Sequence, residues 1–335
     1  MVKVMKKVRI AQIGLGHDHA PNTLRSLIKQ SDIFEFEGLC LPENEMVYAD
    51  KIEAGEAKII SLEDIFENPE IEAVAVETEE KNLTKYALMA INHGKHIHMD
   101  KPGGTEISDF ERLINGVKEK NLHLNMGYMY RYNAAVKRVK EEIKNGDIGE
   151  VYAVEAHMSP VYPTTAEKRQ WLSQFKGGMM FFLGCHLIDI IVSIMGEPER
   201  IIPFLKSTGI EGTTSEDYGV AVLEYKNGIS FAKCCAAEAG GGDRRQIVVC
   251  GTKKTVEIKP IEVYDEGSSM HGVLSYYPDG EGKPENSINS ESFDRYDGMM
   301  KSFAENIRGL SENQFSPDYE LMLYKCIMKA CGKEI

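Results

Sequence analysis

The sequence predicts an α/β protein of two domains, a doubly wound parallel sheet followed by an α+β domain with a large, mostly antiparallel sheet. Its 335 residues are too many for one ordinary core and suit two domains. Strand-like and helix-like segments alternate over residues 1–127, which is typical of a parallel sheet covered on both faces. Over residues 128–335 long strand-like segments dominate, with few helices between them, which indicates antiparallel pairing.

The first domain begins with a compact apolar strand, Val8–Ile13, that runs into glycine and then a helix, Ala20–Lys29. Ser61 and Asp64 form a predicted capping box that opens a short helix. The other predicted strands are Phe34–Leu41, Ile71–Val76, His96–Met99 and Leu122–Met126, and the other helices are Leu83–Asn92 and Phe110–Glu119.

In the second domain, Lys226-Asn227-Gly228 has the composition of a hairpin turn between two strands. The segment Glu262–Glu291 is polar and glycine-rich, and we expect a long loop there. The predicted strands are Glu150–Met158, Tyr218–Tyr225, Ile229–Ala236 and Gln246–Cys250, and the predicted helices are Ala134–Lys144, Leu187–Met195, Tyr296–Arg308 and Tyr319–Cys331.

Composition excludes several classes of protein. A formal net charge of −13 argues against nucleic acid as a partner, because phosphates require clustered Lys and Arg. The apolar runs are short, which excludes a membrane span, and Arg9 and Gln12 interrupt the stretch that a signal peptide needs. We therefore expect a cytoplasmic protein. The seven cysteines form no CxxC pair, and buried free thiols are expected.

The turn Gly14-Leu15-Gly16, between the first strand and the first helix, predicts a dinucleotide site of the Rossmann type. Backbone amides and the helix dipole can meet a pyrophosphate there, and glycine keeps side chains out of its way. The third glycine of the usual motif is replaced by His19.

The end of the second strand indicates which dinucleotide binds. An acid usually grips the ribose hydroxyls of NAD at this point, but Leu41 occupies the position. Glu43 is either its substitute or a solvated loop residue, and both interpretations stay open. Because no Lys or Arg lies between Gly38 and Asp50 to meet a 2′-phosphate, NAD is favoured over NADP.

Gly94-Lys95-His96 opens the fourth predicted strand of the first domain, and Asp100-Lys101-Pro102 follows that strand. Together with the glycine turn and further motifs along nearly the whole chain, these residues resemble the glucose–fructose oxidoreductase, inositol dehydrogenase and rhizopine catabolism (Gfo/Idh/MocA) family. That family carries Gly-Lys-His and then Glu-Lys-Pro where this chain has Gly94-Lys95-His96 and Asp100-Lys101-Pro102. The other matching motifs are Gly127-Tyr128-Met129-Tyr130-Arg131-Tyr132-Asn133, Gly149-Glu150-Val151, Gly177-Gly178, Gly184-Cys185-His186-Leu187-Ile188-Asp189, Gly196-Glu197-Pro198 and Gly251-Thr252.

The resemblance implies roles for particular residues. Lys101 would stabilise a developing substrate alkoxide, and His186 would act as the acid/base, with Asp189 orienting it. Residues expected near the substrate, any one of which could instead serve plain domain packing, are Tyr128, Arg131, His157 and Trp171. Residues expected at the cofactor are Gly14, Gly16, His17, His19, Glu43, Thr78, Asn82 and Lys101. No metal is expected, because His186 and Asp189 lack a third ligand.

Two departures from the family pattern keep the function open. Phe182 stands where the family has an aspartate four residues before the histidine, and Glu77 and Glu79 stand near the expected cofactor. The leading hypothesis is an NAD-dependent oxidoreductase acting on a secondary hydroxyl of a sugar, sugar acid or cyclitol.

The alternatives are transient oxidation by a retained NAD, leading to elimination, epimerisation or glycoside cleavage, and a non-catalytic sugar or nucleotide sensor. The resemblance also implies a homodimer or homotetramer formed through the C-terminal sheet.

Overall fold

The computed structural model describes residues 6–42, 48–52, 56–267, 269–278 and 287–335. The chain forms two compact units, of which the first runs to Met129 and also includes Tyr296–Leu321. The second unit comprises Tyr130–Arg295 and Met322–Ile335. No helix in the described ranges is both long and apolar enough to cross a membrane.

The first unit contains a five-stranded parallel sheet, which confirms the predicted Rossmann-like architecture. Its strands are β1 (Val8–Ile13), β2 (Phe34–Cys40), β3 (Ala73–Val76), β4 (His96–Met99) and β5 (Leu124–Met126), in the order β2-β1-β3-β4-β5. Its first four helices are α1 (Ala20–Lys29), α2 (Leu62–Phe66), α3 (Leu83–Asn92) and α4 (Ile107–Glu119). The central strand β3 is buried throughout, as a parallel strand covered on both faces should be.

Local sequence signals set the boundaries of these helices. Ser61 caps α2 by accepting the Asp64 N–H, while the Asp64 side chain accepts the Ser61 N–H, so the predicted capping box is present. Helix α1 begins directly after the glycine turn, has Pro21 in its first turn and buries Leu24 and Leu27 against the sheet side of the domain.

Helix α8 (Asp297–Ile307) belongs to the first unit, although the sequence analysis assigned residues 128–335 to a second domain. Its buried side chains Met299 and Phe303 lie one turn apart on a single face. Asp297 accepts a hydrogen bond from the Ser26 hydroxyl at 2.8 Å and pairs with Lys29 at 2.6 Å, which fixes α8 against α1. Sequence order alone could not reveal this return of the chain.

The second unit is built on an eight-stranded, mostly antiparallel sheet, with β6 and β9 as its parallel pair. In spatial order its strands are β15 (Ile288–Asn289), β14 (Val273–Pro278), β11 (Lys254–Ile258), β10 (Gln246–Gly251), β6 (Val151–His157), β9 (Gly228–Cys235), β8 (Tyr218–Tyr225) and β7 (Arg200–Lys206). Its helices include α5 (Ala134–Lys144), α6 (Ala166–Trp171) and α7 (Cys185–Met195), and α9 (Pro317–Ala330) closes the chain. The predicted hairpin joins β8 to β9, with Tyr225 paired to Gly228.

Strands β7, β11 and β14 and helix α6 were not predicted, and two further features of the second unit differ from the sequence prediction. The expected long loop at Glu262–Glu291 contains strand segments, among them β12 (Val263–Tyr264) and β13 (Ser269–His271), which pair with each other, and β13 also pairs with β16 (Phe293–Asp294). A π-helical turn, Met180–Gly184, precedes α7. Single π turns inside helices are frequent at functional sites.

Candidate active site

The glycine turn is shaped by close packing between β1 and the end of β3. Gly14 has φ +97°, and a Cβ added there would lie 2.6 Å from Thr78 Cγ2 and 2.7 Å from the Thr78 nitrogen. The backbone N–H groups of Gly16 and His17 both donate to the Glu77 carbonyl at 3.1 Å. Glycine is therefore required at position 14, and Thr78 lies directly against the turn.

Lys101 lies just after β4, at the same edge of the sheet as the glycine turn. Its side chain is 1% exposed, and its Nζ is 3.5 Å from Asp18 Oδ1 in the turn. The Lys101 carbonyl accepts a hydrogen bond from His17 Nε2 at 3.1 Å. A buried ammonium at the carboxyl edge of a parallel sheet occupies the place where such folds bind ligands.

His17, His19 and Asp100 form a buried cluster between the turn and β4. His19 Nδ1 is 3.0 Å from Asp100 Oδ1, and His17 Nδ1 is 3.2 Å from Asp100 Oδ2. Although burial opposes ionisation, His17 and His19 lower the pKa of Asp100 well below its usual range. Burial lowers the pKa of His19, whereas at His17 burial is outweighed by Asp100 and Asp18 together, and the pKa is raised.

The acidic residues that follow β3 place little negative charge near the glycine turn. Burial and the neighbouring Asp100 raise the pKa of Glu77 well above its usual value, which favours its neutral form. Burial also raises the pKa of Glu80. Glu79 pairs with Lys81 at 2.6 Å. The structure thus provides the account of Glu77 and Glu79 that the sequence did not.

The end of β2 is apolar at the position where an acid for the ribose was sought. Leu41 packs against a buried cluster that includes Leu15 and Leu39. Glu43, the proposed substitute for the missing acid, lies outside the described residues. Asn82 closes a 3₁₀ turn after β3 and precedes α3, and its backbone N–H donates to the Glu79 carbonyl at 2.8 Å.

These features fit a bound dinucleotide. The space beside Gly14 admits no side chain, and a helix of ten residues starts at Ala20, directly beyond the turn. Lys101 places a cation at the same edge. Gly14, Gly16, Thr78, Asn82 and Lys101 would hold the cofactor, while the side chains of His17 and His19 face Asp100.

In the second unit, His186 lies in the first turn of α7 and is 1% exposed. The ring of Tyr130 meets it edge-on, with centroids 5.1 Å apart. The carboxylate of Asp189 pairs with Arg131 at 2.9 Å and 2.7 Å, and both side chains are buried. Arg131, Asp189 and His186 thus belong to one buried region, with Arg131 as the hydrogen-bond partner of Asp189.

Phe182 lies in the π turn and packs in an aromatic group. Its ring meets Trp171 edge-on at 5.5 Å, and Trp171 meets Phe175 at 4.9 Å. Lys168 Nζ lies 3.4 Å from the Trp171 ring centroid and 4.6 Å from that of Phe182. The departure from the family aspartate is therefore accommodated by aromatic and cation–π contacts.

Two other predicted substrate residues, His157 and Tyr128, have hydrogen-bond partners within their own units. His157 Nε2 is 2.8 Å from Glu238, which also accepts from Ser159 and pairs with Arg244. Tyr128 belongs to the first unit, is buried, and donates to the Pro102 carbonyl at 3.4 Å.

Sequence reasoning missed two groups of residues. It noted Asp100 only as a variant of the family glutamate and gave Glu80 no role. It also missed the network in which the Tyr130 hydroxyl donates to Glu262 at 3.1 Å and receives from Arg245 at 3.1 Å. The position of Asp100 at the carboxyl end of β4 could have identified it as a site residue. No local pattern identifies Glu262, which lies 132 residues from Tyr130 in the sequence.

Two family models match the chain and together cover more than half of it. The oxidoreductase family model with an NAD-binding Rossmann fold matches residues 8–128, and the GFO/IDH/MocA C-terminal domain model matches residues 136–257. Among curated proteins, myo-inositol 2-dehydrogenase from Thermotoga maritima is 24% identical over 194 residues, which are 57% of each chain. The chain spans about half the length of the curated relatives it matches, between 41% and 58% for the first five.

Solved structures share the whole architecture. A Desulfitobacterium hafniense protein assigned as an NADPH-dependent oxidoreductase has a TM-score of 0.82 at 20% identity, covering 98% of this chain and 95% of its own. A 3-ketoreductase from Actinomadura kijaniata, solved with NADP and TDP-benzene, has a TM-score of 0.79 at 15% identity, covering 96% of both chains. At these identities the two structures establish the fold alone.

Proposed function

The chain belongs to the Gfo/Idh/MocA family of oxidoreductases, with an NAD(P)-binding Rossmann domain, and from this premise we propose that it oxidises or reduces a secondary hydroxyl position of a sugar, sugar acid or cyclitol. The observation that carries the proposal is the placement of Lys101. It is a buried lysine at the carboxyl edge of the sheet, within ion-pair distance of the glycine turn. A bound nicotinamide supplies the hydride acceptor or donor.

Lys101 is proposed to hold the reacting oxygen. Its ammonium can donate a hydrogen bond to a substrate hydroxyl and stabilise the negative charge that develops on that oxygen. Asp18 keeps the ammonium directed toward the turn, since the two groups are 3.5 Å apart. In a site this dry, one such interaction contributes several kcal/mol, roughly a hundredfold or more in rate.

His186 is proposed as the acid/base that takes or returns the proton of the substrate hydroxyl. It lies in the first turn of α7, and its imidazole contacts the Tyr130 ring edge-on. Asp189 is proposed to act indirectly, by keeping the Arg131 guanidinium in place through their ion pair. Trp171 and His157 are proposed to border the substrate, as is Tyr128 beside Pro102.

NAD is proposed as the preferred dinucleotide, on the absence of Lys and Arg from Gly38 to Asp50 in the sequence. The apolar packing of Leu41 at the end of β2 supports this choice, because it offers no cation to a 2′-phosphate. Titration of the protein with NADH and NADPH, followed by nicotinamide fluorescence, tests the choice. Tighter binding of NADPH would reverse it.

The test of the reaction is a Lys101→Met variant assayed with NAD and a panel of polyols, sugars and sugar acids. We expect kcat to fall at least a hundredfold, with NADH binding still measurable. Lys118→Met is the matched control, because Lys118 pairs on the surface with Asp318 at 2.7 Å. Full turnover by Lys101→Met would reject the assigned role.

A second reaction is favoured by Phe182, which faces Trp171 and Lys168 where the family has a carboxylate. Here a retained NAD would oxidise the substrate transiently, acidify a neighbouring C–H and be regenerated within the same turnover. Denaturing freshly purified protein and assaying the supernatant for NAD distinguishes the two reactions. Stoichiometric release supports the second reaction, and protein that purifies empty supports the first.

A homodimer or homotetramer is proposed to form through the open face of the large sheet. On that face Phe231 pairs with Val222, and both are partly exposed, while Phe204 on β7 is 57% exposed. An apolar sheet face of this kind is usually covered in the native assembly.

A further inference from the structure

We propose that His17, His19 and Asp100 form a binding site for a divalent first-row transition-metal ion such as Zn²⁺, entirely within the first unit. The proposal concerns protein donors alone and does not depend on the proposed redox reaction. It differs from the sequence expectation of no metal, which considered only His186 and Asp189 as ligands.

The three donor groups already converge as metal ligands would. His19 Nδ1 lies 3.0 Å from Asp100 Oδ1 and 3.1 Å from Oδ2, and His17 Nδ1 lies 3.2 Å from Oδ2. One ligand atom from each residue falls within 4.8 Å of the other two. Ligands at about 2.1 Å from one ion are about 3.0 to 3.5 Å apart, so only a small adjustment brings all three to bonding distance.

The groups behind these donors are those that orient metal ligands. His17 Nε2 donates to the Lys101 carbonyl at 3.1 Å, which leaves Nδ1 as the ligating nitrogen. The His19 backbone N–H approaches that Nδ1 at 3.2 Å, a long contact that an ion would replace. The Lys101 backbone N–H donates to Asp100 Oδ1 at 2.6 Å and fixes the carboxylate.

A second, independent observation indicates that a cation belongs beside this cluster. Glu80 is 1% exposed, and its Oε2 has no hydrogen-bond partner in the described part of the chain. Its Oε1 lies 3.9 Å from His17 Nε2, and a ligand atom of Glu80 lies within 4.8 Å of His17 and Asp18. A buried carboxyl oxygen without a partner is costly, and a nearby cation would stabilise the charged form of Glu80.

The chemistry of the donors selects the class of metal. Two imidazole nitrogens and one carboxylate suit Zn²⁺, Fe²⁺, Co²⁺ or Ni²⁺, whereas Mg²⁺ and Ca²⁺ prefer all-oxygen sites. Asp18 Oδ1 lies 3.2 Å from His17 Nδ1 and 3.5 Å from Lys101 Nζ, so this carboxylate is close to both the ligating nitrogen and the lysine. Without a metal ion, the cluster would instead hold a proton shared between one of the two imidazoles and the Asp100 carboxylate.

The test uses the untagged full chain, stripped with a chelator and titrated with Co²⁺ and with Zn²⁺. We expect one Co²⁺ per chain with visible d–d absorption, displaced by one Zn²⁺. The Asp100→Asn and His19→Gln variants should each weaken binding at least tenfold. His93→Gln is the matched control, because His93 also lies near an acid, 3.7 Å from Glu67, but belongs to no group of three possible ligands among the described residues.

A measurement on the unaltered protein covers the case in which those variants fail to fold. Of the nine histidines, two should change their ring nitrogen resonances when Zn²⁺ is added, with Nδ1 as the bound atom. The proposal is overturned if the chain binds neither ion at millimolar concentration, if Asp100→Asn and His19→Gln bind as tightly as His93→Gln, or if no ring nitrogen signal moves.

Discussion

At the scale of single residues, Gly14 shows how a backbone requirement becomes a functional one. Substitution by Ala would place a Cβ 2.6 Å from Thr78 Cγ2 and force a side-chain residue to adopt φ +97°. We expect Gly14→Ala to lower the free energy of unfolding by about 2 to 5 kcal/mol and to weaken dinucleotide binding. Urea unfolding and NADH titration measure the two effects.

Gly94→Ala separates the cost of backbone conformation from the cost of the overlap. Gly94 has φ +70°, but no atom lies within 4 Å of an added Cβ, so only the conformational cost, about 1 kcal/mol, applies. Equal destabilisation by the two substitutions would contradict the role assigned to the Thr78 contact.

Single residues also mark what the sequence could and could not predict of the site. Gly14 and Lys101 stand out because each follows a strand in a recognisable motif. The pairing of His19 with Asp100 crosses 81 residues, and no local pattern links them. Lys95, part of the motif that carried the family resemblance, is buried and donates to the Asn68 and Ile71 carbonyls at 2.7 and 2.8 Å. Lys95 therefore has a structural role, since it holds the segment between α2 and β3 in place.

At the scale of elements, strands and helices were predicted well where one periodicity ran without interruption. Helices α1, α3 and α5 and strands β1 and β4 have the predicted bounds. The π turn before α7 was missed, because its apolar residues continue the same helical pattern. The strands within Glu262–Glu291 were missed as well: β12, β13 and β15 have only two or three residues and carry no periodicity, and the six residues of β14 lie in a polar, glycine-rich segment.

The junction of β4 and β5 makes a prediction about pH. His96 Nδ1 accepts the His123 N–H at 3.0 Å, and burial, with His123 nearby, lowers the pKa of His96 to about 4 from 6.5. As pH falls from 6.5 toward 4, the unfolded chain binds this proton first, so the stabilising contribution is present above 6.5 and is lost through that window. We expect a loss on the order of 1 to 2 kcal/mol, since the ring is partly solvated.

Urea unfolding at pH 7 and pH 5 checks this prediction. A His96→Asn variant, whose amide oxygen can still accept from His123, should lose less stability between the two values than the unaltered chain. The exposed His93→Asn serves as the control and should lose as much as the unaltered chain. An unchanged pH dependence in His96→Asn would contradict the assignment to His96.

At the scale of the whole molecule, the two faces of the large sheet differ in what they bury. Alternate residues of β8 and β9, such as Leu223 and Ala232, are fully buried. Their neighbours point to the other face, where Val222 pairs with Phe231 and both remain partly exposed. The alternation of buried and exposed residues along β8 can be predicted from the sequence. The sheet order was needed to show which face stays partly exposed among the described residues.

If this open face joins copies of the chain, a single charge at its centre should separate them. We expect Phe231→Asp to shift the protein from dimer or tetramer toward monomer in sedimentation velocity at micromolar concentration, because an unpaired carboxylate would be buried at the interface. Leu310→Asp is the control, since Leu310 is 60% exposed in the first unit and lies outside the sheet. Circular dichroism shows whether each variant folds. An unaltered chain that sediments as a monomer, or a Phe231→Asp variant that sediments with its parent, would mean that this sheet face does not join subunits.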